Sequence, residues 1–336
     1  MTSRAAAIDR FLERAGWAGA ERRPLAGDAS FRRYLRLRRG GESAVLMDAP
    51  PPMEDVRPFV RVAATLRALG LSAPAVLAVD DANGLVLEED LGDGTYARLL
   101  GEGADERALY RLAVDVLAAL QARVPADAVA ALPAYDSARI LDELAVLVDW
   151  FLPAATGAAT APAVREDYLA RWRTVLEAAP LGPPTLVLRD HHVGNLMWLP
   201  GRPGIAACGL LDFQDAVAGP RAYDLVSLLE DARRDVHPDL QAAMYAHYLD
   251  VAGVADRDAF AHAYAVLGAQ RNCRIIGVFT RLDRRDGKPH YLPFLPRVWA
   301  LVGRDLRHPA LGPVAEWLDR HVPPALRTVP PRRSAA

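Results

Sequence analysis

Apolar positions along this chain fall into two textures. Up to about residue 90 they form short runs broken by turn residues. Ile8, Phe11, Leu12 and Ala15 share a helical face, which predicts a first helix over residues 8–16. Residues 31–37 alternate imperfectly and predict a strand. Gly40-Gly41 predicts a hairpin turn, residues 43–48 the return strand, and Pro50 to Pro52 its end. Phe59, Val62, Ala63, Leu66 and Leu69 mark a helix over 56–69. Two more short strands, 75–80 and 84–89, are joined by a turn at residues 81–83. This is the pattern of a small antiparallel sheet with a helix against it.

The texture changes at Leu91-Gly92-Asp93-Gly94, which reads as a hinge. Beyond it the 3.6-residue period dominates and predicts helices over 105–121, 137–150, 164–177, 223–230, 238–248, 257–282 and 295–306, with a short one near 311–318. Residues 156–163, rich in Ala, Thr and Pro, are expected in an exposed loop. The expectation is an α+β chain in two parts, a sheet domain over 1–91 and a larger, mainly helical domain over 92–336.

Composition narrows the partners. The chain has 336 residues, 51% hydrophobic and 24% charged, with a formal net charge of −2. That balance is globular and offers no basic excess for nucleic acid. Its two cysteines, Cys208 and Cys273, form no disulfide framework, so a reducing cytoplasm is expected. No apolar window is long enough for a membrane span, and the first residues carry no secretion signal.

The chemistry concentrates in residues 186–216. Leu186 to Leu188 run into Asp190, and Asn195 stands five residues later beyond Gly194. Leu210-Leu211 run into Asp212, followed by Phe213, Gln214 and Asp215. Asp, Asn and Asp are hard oxygen donors or a base, and they suit magnesium and phosphate chemistry better than zinc, copper or iron. In phosphoryl transfer one carboxylate takes the proton of the attacking hydroxyl, while an Asn and a second carboxylate hold the metal. Taken singly, each of these residues is an ordinary turn former. Adjacent His191 and His192 match no zinc spacing.

These motifs resemble the aminoglycoside phosphotransferase family. Residues 190–195, DHHVGN, resemble its catalytic loop, and residues 211–216, LDFQDA, its metal-binding segment. The resemblance covers nearly the whole chain and implies a bilobal protein-kinase-like fold. It is closest to the members that phosphorylate N-acetylmuramate and N-acetylglucosamine at the anomeric hydroxyl in bacterial cell-wall recycling. GDASFRRY (27–34), VLMDAPP (45–51), LRDHHVGNLMWLP (188–200) and the segment from Gln270 to Leu292 carry that likeness. It implies ATP and magnesium as cofactors, an amino-sugar substrate and a monomer.

By the same resemblance Asp190 is the catalytic base, and Asn195 and Asp212 are the magnesium ligands. Gly27, Asp28, Ala29, Ser30, Phe31 and Arg32 cover the ATP phosphates, and Glu88 and Leu91 bracket the hinge that meets adenine. Asp215 falls near the second metal or the substrate edge, and His192 takes the family's histidine position, a structural hydrogen bonder that is also a candidate for the substrate. Arg271, Asn272, Arg274 and Arg281 form a polar stripe on a predicted helix, and one or two of these arginines are candidates for the lactyl carboxylate of N-acetylmuramate.

One departure stands out. A kinase β3 strand carries a lysine onto the phosphates. Residues 44–47 here, AVLM, have none, and the lone lysine is Lys288. Arg32 or Arg33 is the candidate replacement, and Glu54 and Asp55 have no assigned partner. The alternatives are a kinase for another small alcohol, such as an aminoglycoside or homoserine, and a non-catalytic nucleotide sensor.

Overall fold

The computed structural model describes residues 4–25 and 31–331. Helix α1 (Arg4–Arg14) buries Ile8, Phe11 and Leu12. Strand β1 (Glu21–Pro24) follows; its residues ERRP are all exposed, so no hydrophobic alternation announces it. Strands β2 (Arg33–Arg39) and β3 (Glu42–Asp48) meet at Gly40-Gly41, where both glycines take positive φ, 50° and 89°. That conformation suits the twist of a two-residue hairpin and disfavours a side chain. Helix α2 (Arg57–Ala68) carries Pro58 in its first turn, where a missing N–H costs nothing. Strands β4 (Val76–Asp80) and β5 (Leu85–Glu89) complete an antiparallel sheet of order β1-β2-β3-β5-β4.

Register decides what the two faces of this sheet do. Leu37, Ala44, Leu46, Leu85 and Leu87 point one way and form a core with Phe11, Leu12 and Trp17. Each such leucine contributes about 1.5–3 kcal/mol by leaving water. The opposite parity carries a row Arg36–Val45–Glu88 across β2, β3 and β5, with Tyr34–Met47–Val86 beside it. Side chains alternate strictly along a strand, so Arg32 shares the parity of Tyr34 and Arg36.

The chain continues through α3 (Tyr96–Gly101), capped by Thr95, α4 (Glu106–Arg123), capped by Asp105, and α5 (Ala126–Ala130). Helix α6 (Ser137–Val146) passes through a π-helical turn, Leu147–Phe151, into α7 (Leu152–Thr156). Helix α8 (Pro162–Ala178) begins within the expected loop. Four short strands come next: β6 (Pro184–Val187), β7 (Leu196–Trp198), β8 (Cys208–Leu210) and β9 (Val217–Pro220). β6 pairs with β9 and β7 with β8, both antiparallel. The chain ends in α9 (Tyr223–Leu229), α10 (Pro238–Val251), α11 (Arg257–Asp286), α12 (Leu295–Asp305) and α13 (Gly312–His321).

By packing, the described residues fall into two compact units. One comprises Met1–Ala128 with Leu188–Ala216, the other Val129–Val187 with Val217–Ala336. The boundary after Leu91 marks a change of element type; the packing units group the Asp190 to Asp212 segment with the sheet. The second unit is built on the 30-residue α11, which packs on α6, α9 and α12. Gly277 is where α11 crosses the end of α6. A Cβ there would stand 2.4 Å from the carbonyl carbon of Val146. Among the described residues, no helix is long and apolar enough to cross a membrane.

Candidate active site

Pairing of β7 with β8 brings the two halves of the motif together. Leu196 lies opposite Leu210, and just beyond that pair Leu211 N–H donates to the Asn195 carbonyl at 3.0 Å. Asn195 and Asp212 therefore leave the same end of one small ladder. The loop before it is closed by three bonds to its own backbone. His192 N–H donates to the Asp190 carbonyl (3.0 Å), Asn195 N–H to the His192 carbonyl (2.8 Å), and Asn195 Nδ2 to the Asp190 carbonyl (3.0 Å). Asn195 thus spends its amide nitrogen on the loop, and its Oδ1 is the end left for other work.

Backbone strain marks the same two places. Among the described residues the non-glycine positions with positive φ are Arg189 (74°) and Asp212 (57°), one just before Asp190 and the other the second carboxylate itself. Such conformations cost about 1–3 kcal/mol and concentrate at functional sites. Gly194 keeps clear of a neighbouring ring. A Cβ there would press on the His192 ring at 3.0 Å, and that ring's Nδ1 accepts the Gly194 N–H.

The two histidines serve the scaffold differently. His191 is buried with Nε2 3.3 Å from the Ala113 carbonyl of α4, and burial pushes its pKa down to about 4, so it is neutral at pH 7. His192 is buried over Gly194 and lies 3.4 Å from the Asn195 amide.

Above this ladder lies a cavity of about 330 Å³. Arg32, Tyr34, Arg36, Val45 and Glu88 line it from the sheet, Leu91 from the hinge, and Asn195 and Asp212 from the motif. Arg32 Nη2 is 3.4 Å from Asp212 Oδ1, and its Nε is 3.9 Å from Glu54 Oε2. Burial opposes the charge on Arg32. Tyr34, Asp212, Glu54 and Asp215 more than offset that and hold the guanidinium above its ordinary value. Glu54 also accepts the Phe31 N–H at 3.1 Å, while Asp55 pairs with Arg57. Phe31 itself is exposed, and Gly27, Asp28, Ala29 and Ser30 lie outside the described residues.

Two features escaped the sequence. Arg36 fastens the hinge by pairing with Asp90 (2.9 Å) and Asp93 (2.6 Å) and donating to the Gly92 carbonyl (2.9 Å). Its position two residues after Tyr34 is the only clue, and it requires the strand register. Phe213 stacks on Phe59 of α2, with centroids 5.0 Å apart and planes 10° from parallel. That contact locks the residue after Asp212 to the helix that follows Glu54.

Residues 21–263 match the phosphotransferase enzyme family. The chain belongs to that family. It is 39% identical to the N-acetylmuramate/N-acetylglucosamine kinase of Caulobacter vibrioides, over 96% of this chain and 98% of that one. It is also 39% identical to the kinase of the same name from Pseudomonas aeruginosa, over 90% of each. Its fold is similar to that of aminoglycoside 2'-phosphotransferase IIIa in a GDP complex, with a TM-score of 0.62 at 14% identity, over 90% of this chain and 98% of that one.

For a phosphotransferase, the donor set fits magnesium. Asn195 Oδ1 and the Asp212 carboxylate are hard oxygens, and magnesium prefers one or two such groups completed by phosphates and water. No cluster of three or more His, Cys, Asp or Glu side chains suited to a metal occurs among the described residues, so phosphate oxygens would have to complete the shell. Gln214 Nε2 holds Asp212 at 2.9 Å and Asp215 at 3.1 Å, and Asp215 itself is exposed.

In the second unit the stripe on α11 divides. Arg271 Nη2 donates to Ser227 Oγ (2.9 Å) and Nη1 to the Glu230 carbonyl (3.4 Å). Asn272 Nδ2 donates to Glu230 (2.7 Å) and Asp305 (3.1 Å). Burial raises the pKa of both acids, and the neighbouring Glu230 charge adds to the rise at Asp305. These buried contacts tie α11 to α9 and α12. Arg274 is more open, its side chain 28% exposed, and meets Glu143 at 3.2 Å.

Proposed function

We propose that this phosphotransferase transfers the γ-phosphoryl group of ATP to the anomeric C1 hydroxyl of N-acetylmuramate and N-acetylglucosamine. The observation that carries the choice of acceptor is the 39% identity, over nearly the full length of both chains, to a kinase named for those two sugars. The site geometry supports the reaction type. Asp190 would take the proton of the hydroxyl as its oxygen bonds to the γ-phosphorus and the bond to the β–γ bridging oxygen breaks. Asn195 and Asp212 would hold magnesium, which supplies charge neutralisation on the phosphates. Arg32 would stand in for the missing strand lysine, with Glu54 as its carboxylate partner. The hinge at Leu91, fastened by Arg36, would meet adenine.

Of the α11 residues, Arg274 fits a sugar carboxylate best, because Arg271 and Asn272 are committed to buried partners. His192 and Asp215 remain candidates for the substrate edge.

The test is magnesium-ATP turnover on N-acetylmuramate, N-acetylglucosamine, glucosamine and kanamycin in parallel. Turnover on the two N-acetyl sugars, with an acid-labile product that Asp190→Asn does not form, is expected. Turnover on kanamycin alone would leave the phosphotransferase and remove the amino-sugar acceptor. ATP binding without turnover on any acceptor would favour a nucleotide sensor.

A further inference from the structure

Three consecutive acids, Glu88, Glu89 and Asp90, end β5, and their partners differ. Glu89 pairs with Arg202, lies 3.5 Å from Arg67 and accepts the Ala75 N–H at 3.1 Å. Asp90 pairs with Arg36 and accepts the Gly92 N–H. Glu88 is the most buried of the three, at 5% exposure, and its Oε2 has no hydrogen-bond partner among the described residues. Strand parity leaves no choice about where it points. Val45 lies directly opposite Glu88 on β3, and both line the cavity, whereas Leu85 and Leu87 face the core with α1. A carboxyl oxygen taken out of water without a partner is costly, and in native structures it calls for an explanation such as a bound water, ion or ligand.

We propose that Glu88 is a nucleobase-reading residue, whose carboxyl takes the hydrogen-bonding edge of adenine inside the cavity. The inference rests on the cavity being the nucleotide site, as proposed above. Leu91 and Gly92 of the hinge line the same cavity three and four residues further on, so a planar base lying against the hinge brings an edge to Glu88. Burial pushes the Glu88 pKa up to about 8. At neutral pH the group therefore offers one O–H donor beside one C=O acceptor, which complements adenine's amino group and its neighbouring ring nitrogen. An ionised carboxylate would offer acceptors only. Of the groups on this face, Arg36 in the same cross-strand row is paired with Asp90 and Asp93, and burial holds the Tyr34 phenol neutral.

The test pairs a change in the protein with a change in the ligand. Dissociation constants for ATP and for purine riboside triphosphate, which lacks the amino group, would be measured on the full chain and on Glu88→Gln, Glu88→Leu and Glu88→Met. The wild type should prefer ATP by about tenfold, as expected for one or two hydrogen bonds. Glu88→Gln keeps a donor and an acceptor and should keep most of that preference. Glu88→Leu and Glu88→Met should lose it, binding both triphosphates alike. Both apolar variants should fold, since they remove an unpartnered buried acid; Glu88→Met also allows for poor packing of leucine. An unchanged ATP preference in a folded apolar variant would overturn the proposal, as would loss of sugar binding with nucleotide binding intact. Failure of the wild type to bind either triphosphate would instead sink the nucleotide reading of the cavity.

Discussion

The guanidinium of Arg32 stands 3.4 Å from the carboxylate of Asp212, with Glu54 behind it at 3.9 Å. Protein kinases reach this arrangement with a lysine on the third strand. Here the third strand carries only apolar side chains over residues 44–47, and the cation comes from the residue before β2. Parity makes this possible, because Arg32 faces the same way as Tyr34 and Arg36. Arg32→Ala should lower kcat/KM for ATP by on the order of 10²-fold, the usual cost of losing one preorganised charge at a transferring group. Arg32→Lys should recover only part of it, since lysine cannot span Asp212 and Glu54 with one planar fork. Steady-state kinetics against ATP decide this, and equal loss in both variants would point to a packing role.

Asp212 combines two constraints, a carboxylate and a left-handed backbone. Asn tolerates that backbone almost as well as Asp, whereas a β-branched residue does not. Asp212→Asn should therefore melt near the wild type yet need far more magnesium and turn over about 10²-fold more slowly. Asp212→Val should lose stability as well. Melting curves beside a magnesium titration separate the two effects.

The stack of Phe213 on Phe59 should couple the segment after Asp212 to α2. Phe213 is fully buried, so Phe213→Ala should cost about 3–5 kcal/mol. In a double-mutant cycle with Phe59→Ala, about 0.5–1.5 kcal/mol of coupling is expected from the ring pair. Denaturant unfolding of the four proteins measures it, and additive losses would show that the rings act separately.

Helix α11 offers a test of close packing away from the chemistry. The Cβ of Gly277→Ala would sit 2.4 Å from the Val146 carbonyl carbon and 2.5 Å from its oxygen. Backbone atoms cannot swing aside as a side chain can, so the helices must part. A loss of about 2 kcal/mol or more is expected in chemical denaturation. Alanine at solvent-exposed Gly303, which meets nothing within 4 Å, is the control.

What could be read from the residues follows from the range of the forces involved. The β2–β3 hairpin, α2 and the long α11 are periodic and locally determined, and they stand within a few residues of expectation. β1, ERRP, is exposed throughout and is a strand only because β2 lies beside it. β7 and β8 have three residues each, too short for a period, yet their pairing sets Asn195 beside Asp212. Asp190, Asn195 and Asp212 stand out in the sequence by residue type and spacing alone, and the structure sets Asn195 and Asp212 at one end of the β7–β8 ladder. Arg36 does not stand out, because its role exists only once the hinge folds back to it. Arg271 and Asn272 read as a polar stripe, and only the packing of α9 and α12 shows how deeply they are held.

Glu88 should also leave a signature in the stability of the protein without nucleotide. Its carboxyl has an ordinary value of 4.5 in the unfolded chain and is pushed up to about 8 in the folded one by burial. Between those values the folded protein keeps a proton that the unfolded chain has released. Stability from this group is thus fully present below pH 4.5 and is lost as pH rises toward 8, by up to about 1.4 kcal/mol per pH unit. His191 works the other way. Its pKa falls from 6.5 to about 4 on folding, so it removes stability as pH drops through that window. Glu88→Gln should remove the Glu88 share of the loss between pH 6.5 and 8, and the His191 contribution, common to both proteins, cancels in their difference. Unfolding free energies at pH 6.5, 7.25 and 8 in wild type and variant isolate the term. Identical slopes in the two proteins would mean that Glu88 is ionised at neutral pH, and adenine would then meet an acceptor where a donor is expected.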